Sequence, residues 1–343
     1  ARKRGVEVTI LTEGGPVGGI PPEEQAVIAR LDAGGIPVTA MTGAGEDHAP
    51  YRFNHAKYLV IDDGQVLLTT ENFKDHSFPP DGLAGNRGWG VLLSSPPLAA
   101  HFSEVFAEDL NGPGVSRIHG YPSDIPPYTA DRYQPVFSPV SFTASSVTTV
   151  LAPDSAGQVL PLIDGAEHRL FIAEAYISHW SGGRKNPYLQ AAINASRRGV
   201  DVRILLDSYY YNIEDDADND EMVQEITTIA GLEHLPLEAR LMDTTRSGLL
   251  KLHAKGVIAD DTVFISSINW NENSPVFNRE AGLIIRDRHA SGYFASVFEK
   301  DWQGGGPVPG SPAPGADEAK IRLAILVLLF LVVLYWYRHR WRR

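Results

Sequence analysis

His55-Ala56-Lys57 and His253-Ala254-Lys255 each set an imidazole and an ammonium two residues apart, and each is followed at the same interval by an acid, Asp62 and Asp260. In extended chain, residues i and i+2 face the same way, so each copy aims His and Lys into one space while the apolar run behind them packs. A neutral imidazole is a competent nucleophile near pH 7, and a second one can act as acid and then as base. One His-x-Lys-x4-Asp arises by chance in roughly one of a few tens of chains of this length. Two at equivalent places in a repeat do not.

The repeat is written into the elements that carry the motifs. Residues 1–13 align with 195–207, sharing Ala, two basic residues, Gly-Val, an acid, Val and Ile-Leu: a helix ending at Gly and then a strand. Patterning predicts helices at 21–33 and 220–229 and strands at 36–41 and 237–242. The motif strands come next, then strands at 66–70 and 263–267, strands at 89–93 and 281–285, and closing amphipathic helices at 101–110 and 293–302. The second half also holds a strand at 148–152, a helix at 158–166, a strand at 170–176 and most of a helix at 187–195 without counterparts in the first. With an opening at Ala1-Arg2-Lys3-Arg4-Gly5 and no Met, the expectation is an N-terminally incomplete first lobe.

With these residues the chain resembles the phospholipase D superfamily, whose members carry two His-x-Lys-x4-Asp motifs, usually followed by Gly/Ser-Ser-x-Asn. The second copy fits closely, with Ser266-Ser267-Ile268-Asn269 and then Asn278-Arg279-Glu280 at the family's later acid position. The first reads Thr69-Thr70-Glu71-Asn72 and then Asn86-Arg87-Gly88, with Gly88 at the place of Glu280. The resemblance covers nearly all of residues 1–303. It implies an α/β fold of two homologous phospholipase D-like α-β-α lobes, with mixed sheets packed around a shared cleft that both motifs line.

The resemblance also implies roles. One histidine attacks phosphorus to give a phosphohistidine, by the family's usual assignment His55, while His253 protonates the leaving alcohol. Lys57, Asn72, Lys255, Ser267 and Asn269 form the phosphate-binding set, a task that magnesium performs in other phosphoryl-transfer enzymes, and neither metal nor cofactor is implied. Glu280 is expected to hold His253 by its other ring nitrogen. For His55 the loop acids Glu71, Asp75 and Asp81 are candidates. Asp62 and Asp260, seven residues beyond their histidines, face the other side and are expected to be structural.

Composition frames the reading. At 343 residues and 43% hydrophobic content there is material for two ordinary cores, and the absence of cysteine excludes disulfides, thiol catalysis and Cys-ligated metal. The net charge of −12 includes six Lys/Arg and no acid in 320–343, so residues 1–319 carry −18. Such a body disfavours a nucleic-acid partner. The fifteen apolar or aromatic residues of 323–337 cover about 23 Å and, flanked by basic residues, read as one C-terminal transmembrane helix with its basic tail in the cytoplasm and the catalytic body outside it.

The expected organisation is lobe 1 at 1–110, a connector at 111–147, lobe 2 at 148–303, a Pro/Gly-rich tether at 304–319, and the membrane helix and tail at 320–343. Tyr209, Tyr210, Tyr211, Trp180, Arg184 and Lys185 sit on loops that could line the cleft. The expected partner is a phospholipid or another phosphodiester, with oligomeric state open. Hydrolysis of a phospholipid head group leads, and transfer by a cardiolipin synthase-like phosphatidyltransferase, a nuclease, and a non-catalytic module that kept the fold are the alternatives.

Overall fold

Continuous apolar strands bounded by glycine and charged residues build the larger lobe, and their all-round burial is what such runs require. The computed structural model describes residues 1–16, 19–42, 49–213 and 218–304. Lobe 1 supplies β1 (Ile10–Glu13), α1 (Pro22–Ala33), β2 (Val38–Met41), β3 (Tyr58–Ile61), β4 (Gln65–Thr69), β5 (Gly90–Ser94) and α2 (Pro96–Leu110). After β6 (Val115–Ile118), lobe 2 begins with β7 (Ser146–Ala152), α3 (Val159–Asp164), β8 (Arg169–Glu174) and α4 (Pro187–Arg197). It continues through β9 (Asp201–Leu206), α5 (Asn219–Glu233), β10 (Leu237–Leu241) and the short α6 (Thr244–Ser247). β11 (Lys255–Ala259), β12 (Thr262–Ser266), α7 (Asn273–Phe277), β13 (Glu280–Arg286) and α8 (Arg288–Gly304) complete it.

Helix starts follow local chemistry. Pro96 opens α2 behind Ser95, whose hydroxyl accepts the Leu98 N–H, and Pro187 opens α4 behind Asn186, whose carbonyl oxygen accepts the N–H groups of Tyr188 and Leu189. Along α2, Ala99, Phe102 and Val105 recur every third residue and are the buried face.

Lobe 2 has a seven-stranded mixed sheet in the order β10-β9-β8-β11-β12-β13-β7, parallel from β10 to β8 and antiparallel beyond. In lobe 1 the equivalent strands fall into two sheets, β1-β2-β6 and β3-β4-β5. The strand that joins the two parts in lobe 2, β8, has no counterpart among the described residues of lobe 1. Residues 115–118, expected in a featureless connector, instead pair antiparallel with β2. The connector is pinned again where the Tyr133 N–H reaches the Gly82 carbonyl and Ala84 the Asp131 carbonyl.

The lobes share one core: Val66, Leu68, Trp89 and Phe102 pack with Phe171, Ile258, Ile265, Phe294 and Phe298. Gly256 is required here, because a Cβ on it would stand 2.2 Å from the Trp89 ring. Among the described residues no helix is long and apolar enough to cross a membrane. The expected tether from 305 onward and the expected membrane helix at 320–343 lie outside the described residues.

Candidate active site

The two histidines precede regular strand structure, which begins at Tyr58 in one copy and Lys255 in the other. Their backbones are bonded across the lobe boundary. His55 donates its N–H to the Arg279 carbonyl at 2.8 Å and Arg279 donates to Phe53 at 2.9 Å; His253 donates to Arg87 at 2.9 Å and Arg87 to Lys251 at 2.8 Å. One residue upstream, Glu13 at the end of β1 accepts the Asn54 N–H at 2.5 Å, and Asp207 beyond β9 accepts the Leu252 N–H at 2.7 Å. Burial raises both carboxyls, Asp207 to about 6, against the opposing pull of those N–H bonds.

The acids behind the histidines are crossed between lobes, which corrects the expectation that Glu280 holds His253. Glu280 Oε2 lies 2.7 Å from His55 Nδ1, and Glu71 Oε1 lies 3.2 Å from His253 Nδ1. An ionised carboxylate only accepts, so each Nδ1 carries the proton and each Nε2 keeps its lone pair. Glu280 also accepts from Ser274 Oγ and, at 3.0 Å, from Asn278 Nδ2; Glu71 accepts from Asn86 Nδ2 at 3.0 Å. Asp75 and Asp81 are exposed, and Asp75 pairs with its neighbour His76.

Burial lowers the pKa of both imidazoles, His253 to about 3, against the opposing pull of Glu280 on His55 and Glu71 on His253. Both are therefore neutral in the free protein. Burial favours the protonated forms of Glu71 and Glu280, but the facing histidines and lysines outweigh it and keep both carboxyls below their usual range.

Lys57 and Lys255 are buried and donate to the carbonyls of His55 and His253, two residues back. Burial depresses both ammonium groups, Lys255 to about 8, and His55 stands in the field of both. The crossed carboxylates put the two motifs at one site. Asn269 is buried with its Oδ1 unpaired, and Asn72 is half-buried. Ser267, expected to bind phosphate, has its hydroxyl engaged twice by the Ala281 backbone and is fully buried, so it fixes β13 instead. Thr70 does the same in lobe 1, accepting the Trp89 N–H.

Asp260 accepts the N–H groups of Glu167, His168 and Arg169 and so anchors the entry to β8. Asp62 shares its left-handed backbone, with φ 47° against 50°, but is exposed. Of the loop residues expected near the cleft, Tyr209 lies under Lys251, and Arg184 covers Trp180 while pairing with Glu272. Tyr176, which sequence reasoning passed over, stands in the field of Glu280 and accepts from Asn271.

Sequence reasoning also missed two ion pairs that lock the lobes. Arg279 reaches Asp109 at the end of α2, along with Asp154 and Tyr51, while Arg87 takes Asp301 of α8 through two N–H bonds of 2.8 and 3.1 Å. All four residues repeat in register, Asn-Arg before positions 88 and 280 and Asp near the end of each closing helix. That identity was the available signal.

Two α/β lobes whose His-Lys segments meet across their boundary define a phosphodiester-acting class, the phospholipase D superfamily. The family model described as "Cardiolipin synthase, PLD-like domain" matches residues 1–110 and 159–302, and the chain belongs to that family. Phosphatidylserine synthase of Haemophilus influenzae Rd KW20 is similar at 14% identity and TM-score 0.56, covering 87% of this chain and 73% of that one. Nuc from Salmonella typhimurium, described as a phospholipase D family member, is similar at 23% identity and TM-score 0.38, over 47% of this chain and 96% of that one. NucT from Helicobacter pylori gives 20% and 0.37, over 47% and 97%. No curated protein sequence matches the chain.

Proposed function

We propose that this chain is a phosphodiesterase of the phospholipase D type that acts on phospholipid head groups through a phosphohistidine. The observation that carries the reading is the crossed pairing, in which each lobe's carboxylate holds the other lobe's imidazole with Nε2 free. His253 takes a proton from solvent onto Nε2 as the anionic diester binds; His55 Nε2 then forms the bond to phosphorus as the bond to the leaving oxygen breaks, and His253 gives its Nε2 proton to that oxygen. His253 then takes a proton from water, which attacks phosphorus and releases His55. Lys57, Lys255, Asn72 and Asn269 offset charge on the non-bridging oxygens.

In this reading the acidic body favours a single phosphodiester over a polyanion, and the apolar run at 323–337 tethers the site to a bilayer with the body outside the cytoplasm. The test is release of head-group alcohol from phosphatidylcholine and phosphatidylglycerol vesicles by purified protein. Wild type should release it, and His55→Ala and His253→Ala should not. Retained release in both variants would sink the mechanism, and nicking of plasmid with no lipid turnover would redirect it to a nuclease.

A phosphatidyltransferase is the second reading. It is favoured by the family description and by the fold shared with a phosphatidylserine synthase over most of both chains. Incubation with phosphatidylglycerol separates the two: phosphatidic acid marks water as acceptor, cardiolipin marks an alcohol.

A further inference from the structure

Gly88 stands where lobe 2 has Glu280, and Glu71 stands where lobe 2 has Ile268. The backbone around the second position is alike in the two lobes. The Glu71 N–H reaches Thr69 Oγ1 at 3.2 Å, and the Ile268 N–H reaches Ser266 Oγ at 3.1 Å. The side chains nevertheless go to different places. Ile268 is 1% exposed within the apolar core of lobe 2, whereas Glu71 turns to His253.

Space explains the difference. A Cβ on Gly88 would lie 2.3 Å from Glu71 Cγ, 2.5 Å from its Oε1 and 2.7 Å from its Cδ. The Glu71 side chain fills the volume that a side chain at 88 would need. Asn86, two residues before Gly88, bonds the Glu71 carboxylate as Asn278, two residues before Glu280, bonds the Glu280 carboxylate.

We infer that Glu71 and Gly88 are an exchanged pair: the carboxylate that positions His253 comes from the loop instead of the strand, and Gly88 is the vacancy that admits it. Lobe 1 thus contributes a full His, Lys and carboxylate set, although its motif looks degraded. Glu71 is a positioning residue acting through His253, and Gly88 acts through Glu71. The functional part of this inference rests on the phosphodiesterase reading, while its structural part can be read without turnover.

Three variants test it: Glu71→Gln, Gly88→Ala, and the double exchange Glu71→Ile with Gly88→Glu. Nitrogen-15 NMR of the His253 ring reports the Nδ1–H tautomer, circular dichroism reports folding, and head-group release reports kcat. The single variants should keep their fold, shift His253 toward the Nε2–H tautomer and lower kcat about 100-fold or more. The double exchange should restore the Nδ1–H tautomer and bring kcat to within about tenfold of wild type, the recovery that two independent losses would not show. An unchanged His253 tautomer in folded Glu71→Gln and Gly88→Ala overturns the inference. So does a folded double exchange that leaves the tautomer shifted. If the double exchange does not fold, the two single variants decide by the same tautomer readout. Wild type inactive on every diester defeats the phosphodiesterase reading alone, because the NMR outcomes still decide the exchange.

Discussion

Lobe 2 carries its motif in the middle of a seven-stranded sheet, with every residue of β11 buried, whereas lobe 1 carries the same motif on a three-stranded sheet whose β3 leaves Leu59 and Ile61 exposed. The two lobes nevertheless present His, Lys and a carboxylate alike. What is equal between them is the boundary: paired backbone bonds from each motif to the other lobe, an Arg-Asp pair on each side, and a crossed carboxylate behind each imidazole. The site is therefore positioned by docking of the lobes, and the completeness of either sheet is secondary to it.

The sharpest break of this symmetry is chemical. If His55 is the nucleophile, His55→Ala and His253→Ala should both lose about 10⁴-fold or more in turnover, yet differ in what they accumulate. His253→Ala can still form some phosphohistidine on a substrate with a good leaving group, and His55→Ala cannot. Acid-labile, base-stable label on His253→Ala alone is the expected result. Label on His55→Ala instead would exchange the two roles.

Next in size are the boundary ion pairs. Removing one partner of a buried pair leaves the other charge uncompensated, at about 3–5 kcal/mol. Arg279→Met strands Asp109 as well as freeing Asp154 and Tyr51, so it belongs at the upper end; Arg87→Met strands Asp301 and belongs at the lower end, with Arg87 itself 15% exposed. Urea denaturation of both variants measures the difference. Equal and small losses would mean that the lobes are held by their apolar core alone.

These particulars separate what the chain shows in one dimension from what it does not. The repeat, the order of the strands and the closing helices are legible because period-2 and period-3.6 patterns are local. By sequence Glu280 pairs with His253 because it follows the second motif in the same lobe; it holds His55, because crossing arises only when two lobes dock. Glu71, a candidate for His55 by sequence, holds His253 instead, because an acid aligned with Ile268 reads as a loop residue until the space at Gly88 and the docking of the lobes are known. Val115–Ile118 escaped notice because four residues carry no reliable period, and their pairing is supplied by β2. The Asn-Arg and Asp identities in both halves are legible in the sequence, whereas the pairing of each Arg with the other lobe's Asp appears only when the lobes dock.

A smaller effect concerns charge at the site. Lys255 is depressed to about 8 by burial, so kcat/KM should fall as pH rises above about 8, when the ammonium is lost and phosphate contact weakens. Arginine stays protonated throughout, so Lys255→Arg should remove that limb while lowering the maximum, because a planar fork does not replace a compact ammonium. A limb that stays at the same pH in Lys255→Arg would assign it to another group.

The smallest expected difference lies in the two motif acids, which share a sequence position and a left-handed backbone but not a task. Asn tolerates that backbone as Asp does, so Asp260→Asn and Asp62→Asn cancel the conformational cost and isolate the carboxylate. Asp260 spreads three backbone N–H bonds over two oxygens, and an amide NH₂ in place of one oxygen faces the Glu167 N–H donor to donor. A loss of about 1–2 kcal/mol follows, against less than about 0.5 kcal/mol for exposed Asp62. Burial alone would raise the Asp260 pKa, but the three N–H bonds outweigh it and hold the folded value below the usual carboxylate range. A depressed folded pKa stabilises the protein above the unfolded value near 4 and ceases to do so as pH falls through the folded one. The gap between wild type and Asp260→Asn should therefore be full at pH 7 and shrink below about pH 4. Equal losses in the two variants would mean that this acid serves the motif turn in both lobes and owes nothing to the entry of β8.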